Sequence, residues 1–288
     1  MKVVRSPGEL DARPRAVALG TFDGVHRGHR RVLDAAVAAG QAPTVVTFDP
    51  HPRVALGYGV ELLTSLERRL ELLAEAGIDE ALMVEFDLEL AQLGPEEFVE
   101  RVLLPIGTDV VVAGANFRFG RGRSGDLELL RRLDLDVRAV PLVEGVSSTR
   151  IRDLLRAGEV ERAARLLGRP AEIEGTVVAG DARGGTLGFP TANLRAEPGL
   201  LVPGYGIYAG AADGTRAAIS IGTNPHYGGG ERRIEAFLLD FDGDLYGRKL
   251  RLQLWERLRD ELAFESEDEL VAQIGRDVEA TRRAQPPV

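Results

Sequence analysis

Two incompatible hydrophobic rhythms occupy different parts of this chain. Over roughly the first 140 residues, short β-branched runs alternate with helical patterns. Ala16–Leu19, Thr44–Phe48, Ala81–Phe86, Asp109–Ala113 and Asp136–Leu142 read as strands. Between them, an Ala-rich helix runs to Ala39 and another covers Ser65–Ala76, while Pro95 opens a third over EEFVERVLL. Thr64 and Glu67 have the spacing of a capping box, and Gly77 stops the helix they open. Near-continuous apolar strands separated by helices predict a doubly wound, Rossmann-like α/β domain on a parallel sheet. Near residue 170 the rhythm changes. Two short helices, TRIRDLLRAG and EVERAARLLG, end at Gly168. Short alternating strands follow at Ile173–Val178, Ile207–Ala211, Ala217–Ile221, Ile234–Phe241 and Leu250–Trp255, with dense Gly and Pro between them, and then a helix over Ser266–Arg283. That pattern predicts an antiparallel barrel or sandwich. The predicted domains are residues 1–168 and 171–288.

Composition narrows the function. Lys and Arg total 36 against 45 Asp and Glu, a formal net charge of −9. A chain this acidic is poorly suited to sequence-independent nucleic-acid binding, whereas a small phosphorylated ligand needs only a few local donors. There are no cysteines, which excludes disulfides, thiolate metal sites and cysteine nucleophiles and fits a reducing cytoplasm. No apolar run approaches the ~20 residues of a membrane span. The expected partners are therefore small molecules, not nucleic acid or membrane, and homo-oligomer formation is left open.

The first chemical constellation is GTFDGVHRGH, Gly20 to His29, between a strand and a helix. Ligands of open α/β sheets collect at the carboxyl ends of strands, where this loop falls. Glycines at 20, 24 and 28 permit close approach, and His26 and His29, three apart, share a face of the helix's first turn. Two imidazoles at a helix N-terminus can stabilise developing phosphoryl charge. A tight turn carrying two surface histidines is the alternative, and a zinc site drawing its third ligand from His51, His226 or a carboxylate is weaker still. Three further segments end strands of the same domain: TFDPHP at 47–52, GANFRFG at 114–120 and SSTRIR at 147–152. The second offers an amide, an Arg and two aromatics able to stack on a flat ring. The third offers hydroxyls, a helix start and two Arg.

Together these four motifs resemble the adenylyltransferase half of the bacterial bifunctional riboflavin kinase/FAD synthetase family. The resemblance implies transfer of AMP from ATP to FMN with release of pyrophosphate. It implies that His26 and His29 contact ATP phosphates, that Ser148, Thr149 and Arg152 form a second phosphate-contacting segment, and that Asn116 and Arg118 lie in a nucleotide- and flavin-binding loop. Gly20, Phe22, Asp23 and Gly24 complete that ATP/FMN site.

The second constellation is Gly180 to Asn193, GDARGGTLGFPTAN, in which Gly180, Gly184, Gly185 and Gly188 suit a loop folding over phosphates. Thr191 and Asn193 carry hard oxygen ligands suited to Mg²⁺ beside ATP. Glu235 is an acid inside the apolar run Ile234–Phe241, where it needs a task or a partner, Arg232 or Arg233. With GIYAG at 206–210, SIGTNP at 220–225 and DLYG at 244–247, these segments resemble the riboflavin kinase module, a six-stranded antiparallel barrel that makes FMN from riboflavin and ATP. The resemblance implies that Gly180, Gly184, Gly188, Pro190, Thr191 and Asn193 bind ATP and flavin, that Thr191 and Asn193 contact Mg²⁺, and that Glu235 is the catalytic base. The chain departs from the family at Gly185, often Arg, at His226, usually Thr, and at Phe237, commonly His. Two other readings remain: a riboflavin kinase whose first domain has another or no specificity, and a non-catalytic flavin-binding protein.

Overall fold

A computed structural model describes residues 1–11, 13–180, 189–223 and 232–288. It divides into two compact units, Met1–Ser147 and Ser148–Val288.

The first unit holds a six-stranded, all-parallel sheet. Its strands are β1 (Lys2–Val4), β2 (Arg15–Leu19), β3 (Ala42–Asp49), β4 (Glu80–Glu85), β5 (Thr108–Gly114) and β6 (Asp136–Val140), in the spatial order β1-β4-β3-β2-β5-β6. Strand β1 escapes the sequence reading because three residues carry no readable period. Both faces of the sheet are covered, as the apolar runs predict. Ala16, Ala18, Val45, Val110 and Val112 pack with Val32, Leu33 and Ala36 of α1 (Arg27–Val37) and with Leu72 and Leu73 of α3 (Leu66–Glu75). Val17, Leu19, Val46, Leu82 and Val111 pack on the other side with Phe98, Val102, Leu103 and Leu130. The shorter helices are α2 (Pro52–Ala55), α4 (Leu88–Gln92), α5 (Pro95–Phe98) and α6 (Leu127–Arg132). The helix expected over EEFVERVLL is α5 continued by a wider π turn at Val99–Leu103. The amino-terminal end of the sheet is tied by Arg15, fully buried, whose Nε lies 2.8 Å from Glu80. Chain order reverses between β2 and β5, so a crevice opens at their carboxyl ends.

The second unit is a closed six-stranded antiparallel barrel in the order β10-β11-β8-β7-β12-β9. Its strands are β7 (Ala171–Val178), β8 (Ala192–Ala196), β9 (Gly206–Ala212), β10 (Thr215–Thr223), β11 (Arg232–Leu238) and β12 (Lys249–Arg259). The sixth strand, β8, begins at Ala192 within PTAN and runs to Ala196, next to the Gly- and Pro-rich segment that hides its alternation. Two helices precede the barrel, α7 (Ser148–Arg156) and α8 (Val160–Leu167), and they group with it. The Leu155 carbonyl accepts from Gly204 N–H at 2.8 Å, and Glu161 accepts from Arg257 N–H at 3.1 Å. Val160, Ala163, Ala164 and Leu167 bury one face of α8. The last helix, α9 (Glu267–Arg283), is held by Arg216, which donates to the Thr281 and Ala284 carbonyls, and by the Arg259–Asp277 pair at 2.7 Å. Among the described residues, no helix is long and apolar enough to cross a membrane.

Candidate active sites

In the first unit, the turn leaving β2 carries an unusual backbone. Phe22, Gly24 and Val25 have φ of 51°, 80° and 35°. Non-glycine residues held in this region cost of order 1–3 kcal/mol each, so the surroundings must fix them. They do: Asp23, 2% exposed, accepts from Leu63 N–H at 2.9 Å, and Thr64 Oγ1 accepts from Gly24 N–H at 3.2 Å. Thr64 therefore does not cap α3 as its spacing predicts. Ser65 does, accepting from Arg68 N–H at 3.0 Å, because Thr64 is committed to the turn. A side chain at Gly24 would strike Leu63.

His26 caps α1, with Nδ1 accepting from His29 N–H at 3.2 Å. A ring nitrogen that accepts carries no hydrogen, so the proton sits on Nε2. The two rings stack 3.6 Å apart and 11° from parallel, and Phe22 meets His29 edge-on at 5.3 Å. His29 Nδ1 is buried and makes no hydrogen bond among the described residues. Burial first, and the adjacent His26 ring second, hold the His29 imidazole well below its ordinary 6.5. The His29 ring is therefore neutral near pH 7, and both rings lie at the start of α1, just after the turn that leaves β2.

The depressed value has a measurable consequence. Below pH 6.5 the unfolded chain binds a proton that folded His29 refuses, so this contribution to stability is complete above pH 6.5 and declines below it. The limiting slope for one proton is about 1.4 kcal/mol per pH unit. His29→Gln is expected to flatten the acid side of the stability curve, read from melting temperatures between pH 7.5 and 5.5. Parallel curves for the two proteins would contradict the assignment.

Across the crevice, Gly114 ends β5 and Asn116 is exposed just beyond it. Arg118 is exposed and pairs with Asp126 at 2.9 Å. Of the two aromatics in this loop, Phe119 turns into the core beside Phe98, so only Phe117 remains half-exposed. Ser148, Thr149 and Arg152 stand at the start of α7 in the second unit, with Arg152 5% exposed.

In the barrel, alternation along β11 sends Ile234, Ala236 and Leu238 into the core and leaves Arg233, Glu235 and Phe237 on the other face. Glu235 lies directly opposite Asn193 of β8 and Ser220 of β10. Directly opposed side chains are about 5 Å apart at Cβ, so an amide, a carboxylate and a hydroxyl share one row across three strands. Thr191 precedes β8 by one residue, on the same side as Asn193 by the period of two. Arg233 Nε sits 2.8 Å from Glu235 and 3.1 Å from Asn193 Oδ1. Arg232 turns away to the Val202 and Pro203 carbonyls and the Tyr205 ring. Gly180 lets the Asn193 amide lie against the backbone: a Cβ there would come 2.1 Å from Asn193 Nδ2 and push that side chain aside. Pro190 is exposed, and Phe189 packs edge-on against Phe237 at 5.4 Å. A groove of about 700 Å³ runs between Phe189 and Ala272, Gly275, Val278 and Arg283 of α9. Gly184, Gly185, Gly188 and His226 lie outside the described residues. Sequence reading did not single out Ser220 or Arg233's contact with Asn193. The register shows the first and a side-chain hydrogen bond the second, and the SIGTNP segment was the available signal for the first.

Both halves of the chain match known families. The family described as FAD synthetase matches residues 9–151, and that described as riboflavin kinase matches residues 167–285. A bifunctional riboflavin kinase/FMN adenylyltransferase from Listeria monocytogenes serovar 1/2a is 36% identical, covering 93% of this chain and 91% of that protein. A protein of the same name from Escherichia coli K12 is 37% identical, covering 96% of each. A solved structure of a macrolide-efflux protein from Streptococcus pneumoniae superposes with a TM-score of 0.89 at 31% identity, covering 98% of each chain.

Proposed function

The chain belongs to the bifunctional riboflavin kinase/FMN adenylyltransferase family, and we propose that it runs its two reactions at the two constellations above, in the cytoplasm. It phosphorylates riboflavin with ATP to FMN, then adenylylates FMN with a second ATP to FAD. The observation that carries the first assignment is the placement of the stacked His26–His29 pair at the strand-order reversal between β2 and β5.

In adenylyl transfer, an FMN phosphate oxygen bonds to the α-phosphorus of ATP while the bond to the β-phosphate oxygen breaks. Pyrophosphate leaves with the electron pair. The nucleophile is already an anion, so no base is needed and the protein's task is positioning and charge stabilisation. The Nε2–H of His26 is a fixed donor because its Nδ1 is committed to the helix. His29 offers a second ring without positive charge of its own. Asn116 and Arg118 from across the crevice, with Gly20, Phe22, Asp23 and Gly24 shaping the turn, complete the proposed ATP/FMN site. The sequence resemblance alone, and no contact in the structure, is the ground for proposing Ser148, Thr149 and Arg152 as phosphate-contacting residues.

In the kinase step, the ribityl 5′-hydroxyl oxygen bonds to the γ-phosphorus of ATP and ADP departs. Glu235 takes the hydroxyl proton. The donor set around it fits Mg²⁺: the Thr191 hydroxyl and the Asn193 amide oxygen are hard neutral ligands, and ATP phosphates would supply the remainder. Among the described residues, no group of three His, Asp or Glu forms a metal cage. Mg²⁺ bound there would neutralise charge between the terminal phosphates. Gly180 gives Asn193 room, and Pro190, Gly184 and Gly188 are proposed, on the sequence resemblance, to bind ATP and flavin. The groove between Phe189 and α9 is proposed to take the flavin ring.

Incubation with riboflavin, ATP and Mg²⁺, followed by chromatography of the flavins, tests the overall reading. FMN followed by FAD is expected, and unchanged riboflavin would contradict it. The units also predict separable chemistry. A fragment of residues 148–288 should fold and make FMN without FAD. One starting at 171 loses α7 and α8, uncovers the barrel surface they bury, and should melt several degrees lower. Equal melting of the two fragments would show that the helix pair contributes nothing to the barrel.

A further inference from the structure

Arg69, on α3, is 4% exposed and lies in none of the motifs along the sequence. Its Nη1 donates to the Thr21 carbonyl and its Nη2 to the Phe48 carbonyl, each at 3.1 Å. Those two carbonyls lie where the chain leaves β2 and β3, which are neighbours in the sheet. Thr21 opens the turn whose next residues are held at positive φ, and the same carbonyl accepts from Thr47 Oγ1 at 3.2 Å. Burying a guanidinium is costly, and a leucine at this helical position would pack without that cost. What a guanidinium supplies is a planar fork able to hold two fixed acceptors at once. Burial lowers the pKa of the guanidinium, and the Asp23 and Asp49 carboxylates, close to the two carbonyls in sequence, only partly offset that.

We infer that Arg69 is a positioning residue for adenylyl transfer, clamping the His26–His29 turn to the turn after β3 so that the imidazoles meet the phosphates in register. This rests on the reading that His26 and His29 serve that reaction. A residue of this kind affects the rate through geometry, and displacing a catalytic group by about 1 Å can cost ~10²-fold.

The test uses the full-length chain. Arg69→Met removes both contacts and the charge, while Arg69→Lys keeps the charge and one contact. FAD formation is measured for kcat and for KM of ATP and FMN, with riboflavin phosphorylation and melting temperature on the same samples. A graded loss of kcat is expected, about tenfold for Lys and ~10²-fold for Met, with KM for ATP nearly constant and the kinase rate unchanged. If Arg69→Met does not fold, Arg69→Lys carries the test alone: a lowered kcat at unchanged melting supports the clamp. Wild-type kcat in Lys, or a lowered melting temperature with full kcat in Met, would overturn it and leave Arg69 a packing residue. His26→Ala run alongside separates the two levels. Full FAD formation by that variant overturns the site and the clamp together, whereas a damaged His26→Ala beside an undamaged Arg69→Met overturns the clamp only.

Discussion

FAD formation by His26→Ala and by His29→Ala is expected to fall about 10²–10³-fold at saturating FMN and ATP, with riboflavin phosphorylation untouched. Each imidazole is proposed as a donor to phosphate oxygens in a site where a lost donor is not replaced by water at equal strength. The two variants should differ in stability. His26 is the cap of α1, so its loss removes a helix cap as well and costs about 1 kcal/mol. His29 accepts no cap bond, and its buried Nδ1 has no protein partner among the described residues, so its removal should cost little stability. A cap loss alone lowers melting but cannot slow the folded enzyme a hundredfold below its transition. Full-rate FAD synthesis by either variant would remove that histidine from the chemistry.

Glu235→Gln is expected to lower FMN formation from riboflavin by ~10²–10⁴-fold, because it keeps the shape and removes the basicity. The chain offers a competing role for this residue, an ion pair with Arg233 at 2.8 Å. Magnitude separates the two. Both side chains are 29% exposed, and half-exposed pairs of this kind contribute about 0–1 kcal/mol. Melting should therefore hardly move, and FAD formation from supplied FMN should stay at the wild-type rate. A kinase rate within about tenfold of wild type would leave Glu235 a structural partner of Arg233 and nothing more.

The parts of this architecture that repeat a period were legible from residues alone. Val17 and Leu19 against Ala16 and Ala18 assign opposite faces of β2 without any structure, and β11 reads the same way. The histidine pair was legible because three-residue spacing at a helix start has one geometric meaning. What escaped is what depends on partners distant in sequence. Thr64 has the spacing of a cap, and only the position of Gly24 shows that it is committed elsewhere and leaves Ser65 to cap α3. Arg69 reads as one more charge on an amphipathic helix until the carbonyls of Thr21 and Phe48 converge on it. Phe119 looked available to a ligand ring, but Phe98, far along the chain, draws it into the core. The first site lies at the carboxyl ends of strands, where local period stops and tertiary placement takes over.

The account stands most directly on two chemistries at two sites in one chain. A time course with riboflavin, ATP and Mg²⁺, with the flavins separated by chromatography, can be run on the wild type, His26→Ala and Glu235→Gln. The wild type should pass through FMN to FAD. His26→Ala should stop at FMN. Glu235→Gln should leave riboflavin unconverted yet turn supplied FMN into FAD. A wild type that stops at FMN, or a single substitution that abolishes both steps in a folded protein, would contradict it.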